Sequence, residues 1–209
     1  MTTTDFTITF RPLCEADLPM LHDWIHRPHV AQWWGGGEAG GNLEDTTKKY
    51  LPRLQEASSI KAYIALLSGD PIGFVQSYVA LGCGDGWWED ETDPGVRGID
   101  QFLCDGGKLG QGMGSRMVAA FVRQLFQDPA VTKVQSDPDP TNARAIRCYE
   151  KAGLHPVGTV ATPDGPALLM VVERHAAEER EQATAALAAI QDEEERSIVA
   201  KTFGHVPAP

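Results

Sequence analysis

Cysteine is scarce in this sequence, and its placement argues against two kinds of stabilising site. The four cysteines among 209 residues are scattered, without CxxC or CxH spacing: Cys14, Cys83, Cys104 and Cys148. Structural zinc sites and the disulfide frameworks of small secreted proteins need more closely grouped ligands. The sequence therefore predicts reduced thiols in ordinary packing, no metal site and no cysteine nucleophile paired with a histidine.

Long apolar runs and an excess of positive charge are missing as well. No segment approaches the roughly 18 apolar residues of a membrane-spanning helix, and no cationic stretch precedes an apolar core at the N-terminus. A formal net charge of −11 would repel nucleic acid and anionic membrane surfaces. These absences predict a soluble, cytoplasmic protein with no nucleic-acid or membrane partner. Its oligomeric state stays open between a monomer and a homodimer. Cationic small molecules remain compatible ligands.

Residue periodicity predicts an α+β fold of ordinary globular composition, 42% hydrophobic and 22% charged. Alternating or β-rich runs indicate strands at 6–10, 61–67, 71–81, 95–104, 131–137, 155–162 and 166–172. Helical spacing of apolar residues indicates helices at 14–25, 43–57, 116–126 and 141–153. Because the repeated strand–helix alternation of a doubly wound fold is missing, the sheet is expected to be mostly antiparallel.

The chain changes character after Glu173, where alanine and glutamate become frequent. This composition is typical of a largely exposed helix. The sequence predicts one domain over residues 1–173, followed by an acidic helical extension over residues 174–209.

A glycine-rich turn, LGQGMGS at 109–115, lies between a predicted strand and a predicted helix. Glycines let the backbone approach an anion closely, and the helix N-terminus directs unpaired N–H groups towards it. A phosphate or pyrophosphate is the natural occupant, although a glycine-rich turn is often only a turn. The segment lacks the Lys-Ser/Thr pair of a P-loop.

A second unusual stretch, GDGWWEDETD at 84–93, places two tryptophans among five carboxylates. One interpretation is a solvated loop whose tryptophans anchor it to the core. The other is a binding site for a polyvalent cation, because carboxylates attract ammonium groups and aromatic faces add cation–π contacts.

The glycine turn and the later segment NARAIRCYEKAG at 142–153 together resemble the acetyl-CoA site of the GNAT acetyltransferase superfamily. The resemblance implies a GNAT fold, acetyl-CoA as cosubstrate and no metal. It assigns the CoA pyrophosphate to backbone N–H groups of the turn, the acetyl thioester to the preceding strand and the pantetheine arm to an asparagine. The implied cofactor-binding residues are Gln101, Phe102, Leu103, Gln111, Gly112, Met113, Gly114, Ser115 and Asn142. Leu109 departs from the Arg or Gln usual at its position.

Longer strings across residues 8–172, among them the acidic tryptophan stretch, resemble aminoglycoside 6′-N-acetyltransferases, which confer resistance to kanamycin-like drugs. Such a substrate carries several ammonium groups on a sugar scaffold, which suits carboxylates and aromatic faces. The resemblance implies the substrate contacts Trp34, Tyr50, Asp85, Trp88, Asp100 and Asp137. Trp87, Glu89, Asp90, Glu91 and Asp93 either add negative field or fold the loop.

The implied mechanism is direct acetyl transfer from acetyl-CoA to a drug amine. Asp100 is expected to assist removal of the amine proton, directly or through water, and Tyr149 to protonate the departing thiolate. The thiolate leaving unaided is the alternative for Tyr149. Two alternatives stay open for the protein: a GNAT enzyme acting on another amine or a siderophore precursor, and a weakly catalytic protein that binds acyl-CoA or an aminoglycoside.

Overall fold

A computed structural model describes residues 7–34, 41–182 and 185. The chain divides into two compact units, Met1–Val172 and Glu173–Pro209. In the second unit residues 174–182 are helical, and Arg174 lies 3.6 Å from Glu178. Apart from residue 185, the rest of the predicted helical extension lies outside the described residues, so its extent stays a prediction. No helix within the described ranges is long and apolar enough to cross a membrane.

The first unit contains helices and strands in the order expected from the sequence. The helices are α1 (Leu18–Ile25), α2 (Pro28–Ala31), α3 (Leu43–Tyr50), α4 (Met113–Leu125) and α5 (Ala143–Ala152), with 3-10 turns at Glu15–Asp17, Leu51–Leu54 and Gly106–Lys108. The strands are β1 (Ile8–Pro12), β2 (Ile60–Leu67), β3 (Asp70–Val79), β4 (Val96–Leu103), β5 (Lys133–Ser136), β6 (His155–Thr162) and β7 (Gly165–Glu173).

The strands of the described chain form one seven-stranded sheet in the order β1-β2-β3-β4-β5-β7-β6. The pairs β1–β2, β2–β3, β3–β4 and β6–β7 are antiparallel, whereas β4 and β5 are parallel. The α+β prediction with a mostly antiparallel sheet is therefore confirmed.

Three helix boundaries differ from the predictions by three residues or more. The helix expected over 14–25 is α-helical only from Leu18, after a 3-10 turn at Glu15–Asp17. The helix expected over 43–57 stops at Tyr50, and a 3-10 turn that contains Pro52 follows it. Proline has no N–H for an α-helical hydrogen bond, so it favours such an ending. The helix expected from 116 begins earlier, at Met113, because Gly112 takes a left-handed conformation (φ 81°) and serves as its N-cap. Gly114 and Ser115 consequently belong to the first helical turn.

The two faces of the sheet pack against different helices. On one face, Phe74 and Phe102 join a core with Leu21 and Trp24 of α1. On the other, Phe121 of α4 packs against strand aromatics. Alternating strand residues point to opposite faces, so the β-branched and aromatic runs supply both cores.

The parallel pairing of β4 with β5 is short, and the point where it ends determines where the candidate site lies. Its register covers Val96–Gly98 against Lys133–Gln135, and no further pairing joins the two strands in the described chain. The second half of β4, Ile99–Leu103, is therefore left facing a gap. Backbone groups in such a gap need partners other than a neighbouring strand.

Candidate active site

A cavity of about 1260 Å³ occupies the gap beside the second half of β4. Pockets for single drug-sized ligands span roughly 300–1,000 Å³, so this cavity has room for more than one small molecule. Most residues predicted from the sequence line it: Trp34, Tyr50, Asp85, Asp100, Gln101, Phe102, Leu103, Gly112, Gly114, Ser115, Asp137, Asn142 and Tyr149. Gln111, Met113 and Trp88, although described, do not belong to its wall.

The glycine turn has the conformation that anion binding requires. Gly110 and Gly112 have positive φ angles of 76° and 81°, which glycine adopts without strain. The first N–H groups of α4 follow directly. A Cβ on Gly114 would lie 3.1 Å from Sγ of Cys148 on α5, so this glycine also lets the two helices approach closely.

Helix α5 contributes a capping residue and a basic face. The side-chain oxygen of Asn142 accepts a hydrogen bond from the backbone N–H of Ala145 at 3.1 Å, which fixes this cavity-lining side chain at the helix start. Arg144, Arg147 and Lys151 also line the cavity. These three cations were not predicted as site residues, although their spacing places them on one helical face.

One face of the β3–β4 pair carries a ladder of three cross-strand pairs. In register these are Phe74 with Phe102, Gln76 with Asp100, and Tyr78 with Gly98. The two phenyl rings stack with their centroids 5.5 Å apart. All six residues except Phe74 and Gly98 line the cavity. The register of this hairpin therefore determines what surrounds Asp100.

Asp100 is held by a neutral donor and faces basic groups. Gln76 donates from Nε2 to Oδ2 of Asp100 at 2.8 Å. Burial raises the pKa of Asp100, while the hydrogen bond from Gln76 and the charges of Arg53 and Lys49 oppose the rise. A carboxylate with a raised pKa is a stronger base than an exposed aspartate.

Asp137 lies after β5 and forms a second acidic element. Burial and the nearby charge of Asp100 raise the pKa of Asp137 to about 8. A carboxyl whose pKa is raised by a second carboxylate favours a bound cation, because a positive charge relieves the repulsion. Among the described residues, no three His, Cys, Asp or Glu side chains are grouped as metal ligands.

Tyr149 of α5 is buried at the cavity wall, where it makes a hydrogen bond with Ser136. Burial raises the pKa of Tyr149 above its ordinary value, although the hydrogen bond from Ser136 opposes this. The phenol is therefore protonated at neutral pH. A proton donor is what the departing thiolate of a thioester would use.

Trp34, Tyr50 and Arg53 form a supporting stack. Nε1 of Trp34 donates to the Tyr50 hydroxyl at 2.9 Å, and the Arg53 guanidinium lies 4.5 Å from the centre of the Tyr50 ring. Tyr50 has 0% exposure. Tyr50 therefore borders the cavity with a covered side chain that holds Trp34 and Arg53 in place, and its direct contact with a substrate stays a prediction.

In the acidic tryptophan loop, some residues line the cavity and others anchor the loop to the fold. Trp87 and Asp85 line the cavity. Trp88 does not; its Nε1 donates to the Tyr78 hydroxyl at 3.1 Å, which places the indole behind Tyr78. Of the two tryptophans, Trp87 is thus the one that lines the cavity, and the substrate contact assigned to Trp88 stays a prediction.

Two of the loop carboxylates fold the loop. Glu91 contacts Lys133 of β5 at 3.1 Å and accepts backbone hydrogen bonds from Thr92 and Asp93. Asp93 accepts hydrogen bonds from the Thr132 hydroxyl at 2.6 Å and from the backbone of Gly95 at 2.7 Å. These contacts fasten the loop to the start of β4 and β5.

The sequence comparison identifies the family. The model for the acetyltransferase (GNAT) domain matches residues 14–162. The chain belongs to the GNAT acetyltransferases. This acetyltransferase is 56% identical over 178 residues to the aminoglycoside N(6′)-acetyltransferase type 1 of Klebsiella pneumoniae, a match that covers 85% of this chain and 89% of that protein.

Solved structures of AAC(6′)-Ib share the fold of this acetyltransferase. One, in complex with paromomycin and acetyl-CoA, is 56% identical with a TM-score of 0.78, covering 82% of this chain and 96% of that chain. Another, in complex with coenzyme A and kanamycin, is 55% identical with a TM-score of 0.78, covering 83% and 98%. The GNAT fold inferred from the sequence motifs is confirmed.

Proposed function

We propose that this acetyltransferase transfers the acetyl group of acetyl-CoA to the 6′-amino group of aminoglycosides and so confers resistance to them. The observation that carries the proposal is the position of Asp100. It lies in a cavity that is acidic on the side of Asp85 and Asp137 and basic along α5, next to the strand residues expected to hold the thioester. The similarity to aminoglycoside acetyltransferases supports it.

The acidic part of the cavity suits a polycationic acceptor. Asp85, Asp100 and Asp137 supply carboxylates, and Trp34 and Trp87 supply aromatic surface. Ammonium groups pair with carboxylates, and sugar rings pack on aromatic faces. Because the pKa of Asp137 is raised to about 8, a polycation that binds beside it would displace a proton.

The opposite part of the cavity suits coenzyme A. The glycine turn and the N-terminus of α4 would hold the pyrophosphate through N–H groups, and Asn142 would contact the pantetheine arm. Arg144, Arg147 and Lys151 offer positive charge to the remaining phosphate oxygens. Acetyl-CoA is a cytoplasmic metabolite, so we place the enzyme in the cytoplasm.

The reaction is a direct transfer. Asp100 accepts a proton from the 6′-ammonium, directly or through water, and the freed nitrogen lone pair attacks the thioester carbonyl carbon. The nitrogen of the tetrahedral intermediate loses its second proton to solvent, and the intermediate collapses with cleavage of the C–S bond. The sulfur takes a proton from Tyr149, and the products are the acetamide and CoA thiol. Tyr149 regains a proton from solvent, and Asp100 releases its own.

The test follows CoA thiol release from acetyl-CoA with and without kanamycin, in wild type, Asp100→Asn and Asp70→Asn. Asp70 is an exposed aspartate at the start of β3 and serves as a control for a lost carboxylate. We expect kanamycin-dependent release in wild type and Asp70→Asn, and a loss of at least a hundredfold in Asp100→Asn. NMR of the product should place the acetyl group on the 6′-nitrogen.

Two results would contradict the proposal. Tight binding of acetyl-CoA without release stimulated by any aminoglycoside would mean that the acceptor is another amine. Binding of kanamycin without turnover would instead indicate a binding protein.

A further inference from the structure

Gln76 is a buried side chain that links a cation to the proposed base. It has 7% exposure and lies opposite Asp100 in the β3–β4 register. Arg53 donates from Nη1 to Oε1 of Gln76 at 2.5 Å, and Gln76 donates from Nε2 to Oδ2 of Asp100 at 2.8 Å. The amide therefore bridges the guanidinium and the carboxylate.

The direction of the Gln76 amide follows from the chemistry of its neighbours. A guanidinium has only donors, so the atom that faces Arg53 must be the amide oxygen. The amide nitrogen must then face Asp100, where it acts as a donor to an ionised carboxylate. With the amide reversed, N–H would face N–H at Arg53 and oxygen would face oxygen at Asp100.

Arg53 is itself held in place by the supporting stack. Its guanidinium lies over the ring of Tyr50, whose hydroxyl accepts the indole hydrogen bond of Trp34. The Arg53 guanidinium is thus connected to Asp100 through the Gln76 amide. A direct ion pair would neutralise the carboxylate, whereas a neutral donor leaves its charge available to an ammonium group.

We propose that Gln76 is a positioning residue for acetyl transfer: oriented by Arg53, it holds one oxygen of Asp100 and leaves the other for the acceptor amine. This inference rests on the proposed function, because it requires Asp100 to act on the amine. It goes beyond that function because it assigns the orientation of Asp100 to Gln76 and Arg53, which lie far from Asp100 in the sequence.

Removing the Gln76 amide should change the pKa of Asp100. To attribute the change to this amide, the other ionisable groups around Asp100 must be the same in the variant. The ionisable groups that face Asp100 are Lys49 of α3, Tyr50, Arg53, Tyr78 of β3, Asp137 and Tyr149 of α5. None of them is altered in Gln76→Met, which keeps the length of the side chain. The lost hydrogen bond stabilised the charged form, so its loss raises the pKa of Asp100 further.

Gln135 provides a matched control. It is also a buried glutamine of a central strand, and its Nε2 has no partner within the described chain. Strand alternation places it on the face opposite Ser136, which lines the cavity. Gln135→Met therefore removes a buried amide without touching Asp100.

The experiment measures kcat/KM for kanamycin against pH in wild type, Gln76→Met, Gln135→Met and Gln76→Glu. In Gln76→Met we expect the acidic limb of the kcat/KM profile to shift to higher pH by about one to two units. The value of kcat/KM should fall roughly tenfold to a hundredfold near pH 7 and recover at alkaline pH. Gln76→Glu keeps a partner for Arg53 but places an acceptor at Asp100, so it should shift the limb in the same direction. Gln135→Met should keep the wild-type midpoint.

The possible failures are distinguishable. Wild type without kanamycin-dependent thiol release at any pH would contradict the proposed function. An active wild type, with a Gln76→Met profile lowered equally at every pH and an unshifted midpoint, would show that Gln76 is only structural. A wild-type profile in Gln76→Glu would overturn the inference even if Gln76→Met did not fold.

Discussion

The phenol ring of Tyr78 lies directly across the backbone of Gly98, its register partner on β4. A Cβ built on Gly98 would lie 2.1 Å from Cζ of Tyr78, so only glycine leaves room for this ring. The Tyr78 hydroxyl then meets the indole of Trp88 at 3.1 Å. Through this contact, the acidic tryptophan loop and the strand that carries Asp100 form one wall.

Gly98→Ala should displace the Tyr78 ring and disturb this wall. We expect KM for the aminoglycoside to rise at least tenfold and stability to fall by roughly 1–3 kcal/mol, the usual cost of overpacking. Steady-state kinetics and denaturant unfolding would measure both. Gly158→Ala on β6, where an added Cβ meets no atom within 4 Å, is the control. Unchanged kinetics in Gly98→Ala would mean that the ring position does not matter.

Trp88→Phe should weaken substrate binding through Tyr78, because the variant keeps an aromatic ring but loses the N–H donor. A hydrogen bond of this kind contributes about 0.5–1.5 kcal/mol, which corresponds to roughly a two- to twelvefold rise in KM. A double-mutant cycle with Tyr78→Phe isolates the contact. Additive effects of the two substitutions would show that the residues act independently.

Tyr149→Phe should lower kcat by about tenfold to a hundredfold, because it removes the proton offered to the departing thiolate. Binding of acetyl-CoA should change little. Tyr63→Phe is a matched control, since Tyr63 packs against Phe121 at a ring distance of 5.5 Å on the other face of the sheet. An unchanged kcat for Tyr149→Phe would establish that the thiolate leaves unaided.

Asp137→Asn should stabilise the protein at alkaline pH. Burial and Asp100 raise the pKa of Asp137 to about 8, so between roughly pH 4 and pH 8 the folded chain keeps a proton that the unfolded chain has lost. The stability due to this proton disappears as the pH rises through that window. The Tm of the variant should therefore exceed that of wild type by several degrees at about pH 8.5, and the difference should vanish near pH 4.

Calorimetry across this pH range checks the prediction for Asp137. Asp70→Asn, at an exposed position, should follow the wild-type curve. A Tm difference independent of pH would indicate a packing effect of the substitution.

Asp17→Asn should have the opposite pH dependence. Asp17 accepts two hydrogen bonds from the Arg11 guanidinium, at 2.6 and 2.7 Å, and these lower its pKa to about 2. This stabilisation, roughly 2 kcal/mol, is complete above about pH 4 and is lost as the pH falls through about 2. Urea unfolding at neutral pH should show the loss in the variant. Asp23→Asn, which breaks an exposed pair with Arg27, should cost less than about 0.5 kcal/mol.

Much of the cofactor site is readable from local sequence. Gly112 starts α4 because glycine adopts a positive φ, and Asn142 caps α5 because its oxygen reaches an N–H three residues on. Such features depend on residues a few positions apart. The strand and helix pattern predicted the α+β class because it too depends on residues close in the sequence. The end of α3, in contrast, depended on how the chain accommodates Pro52.

The acceptor side required the tertiary structure. No local pattern pairs Gln76 with Asp100, because that contact depends on the β3–β4 register across a long loop. Burial of Tyr50 and the choice of Trp87 over Trp88 at the cavity wall likewise depend on packing between distant segments.

The sequence by itself thus determined the fold class, the family and the main chemical groups, because these follow from periodicity and short motifs. The tertiary structure alone decided which groups face the cavity and which support them. Side-chain orientation, hydrogen-bond partners and pKa shifts arise where segments distant in sequence exclude water together, and short-range patterns carry no information about that geometry.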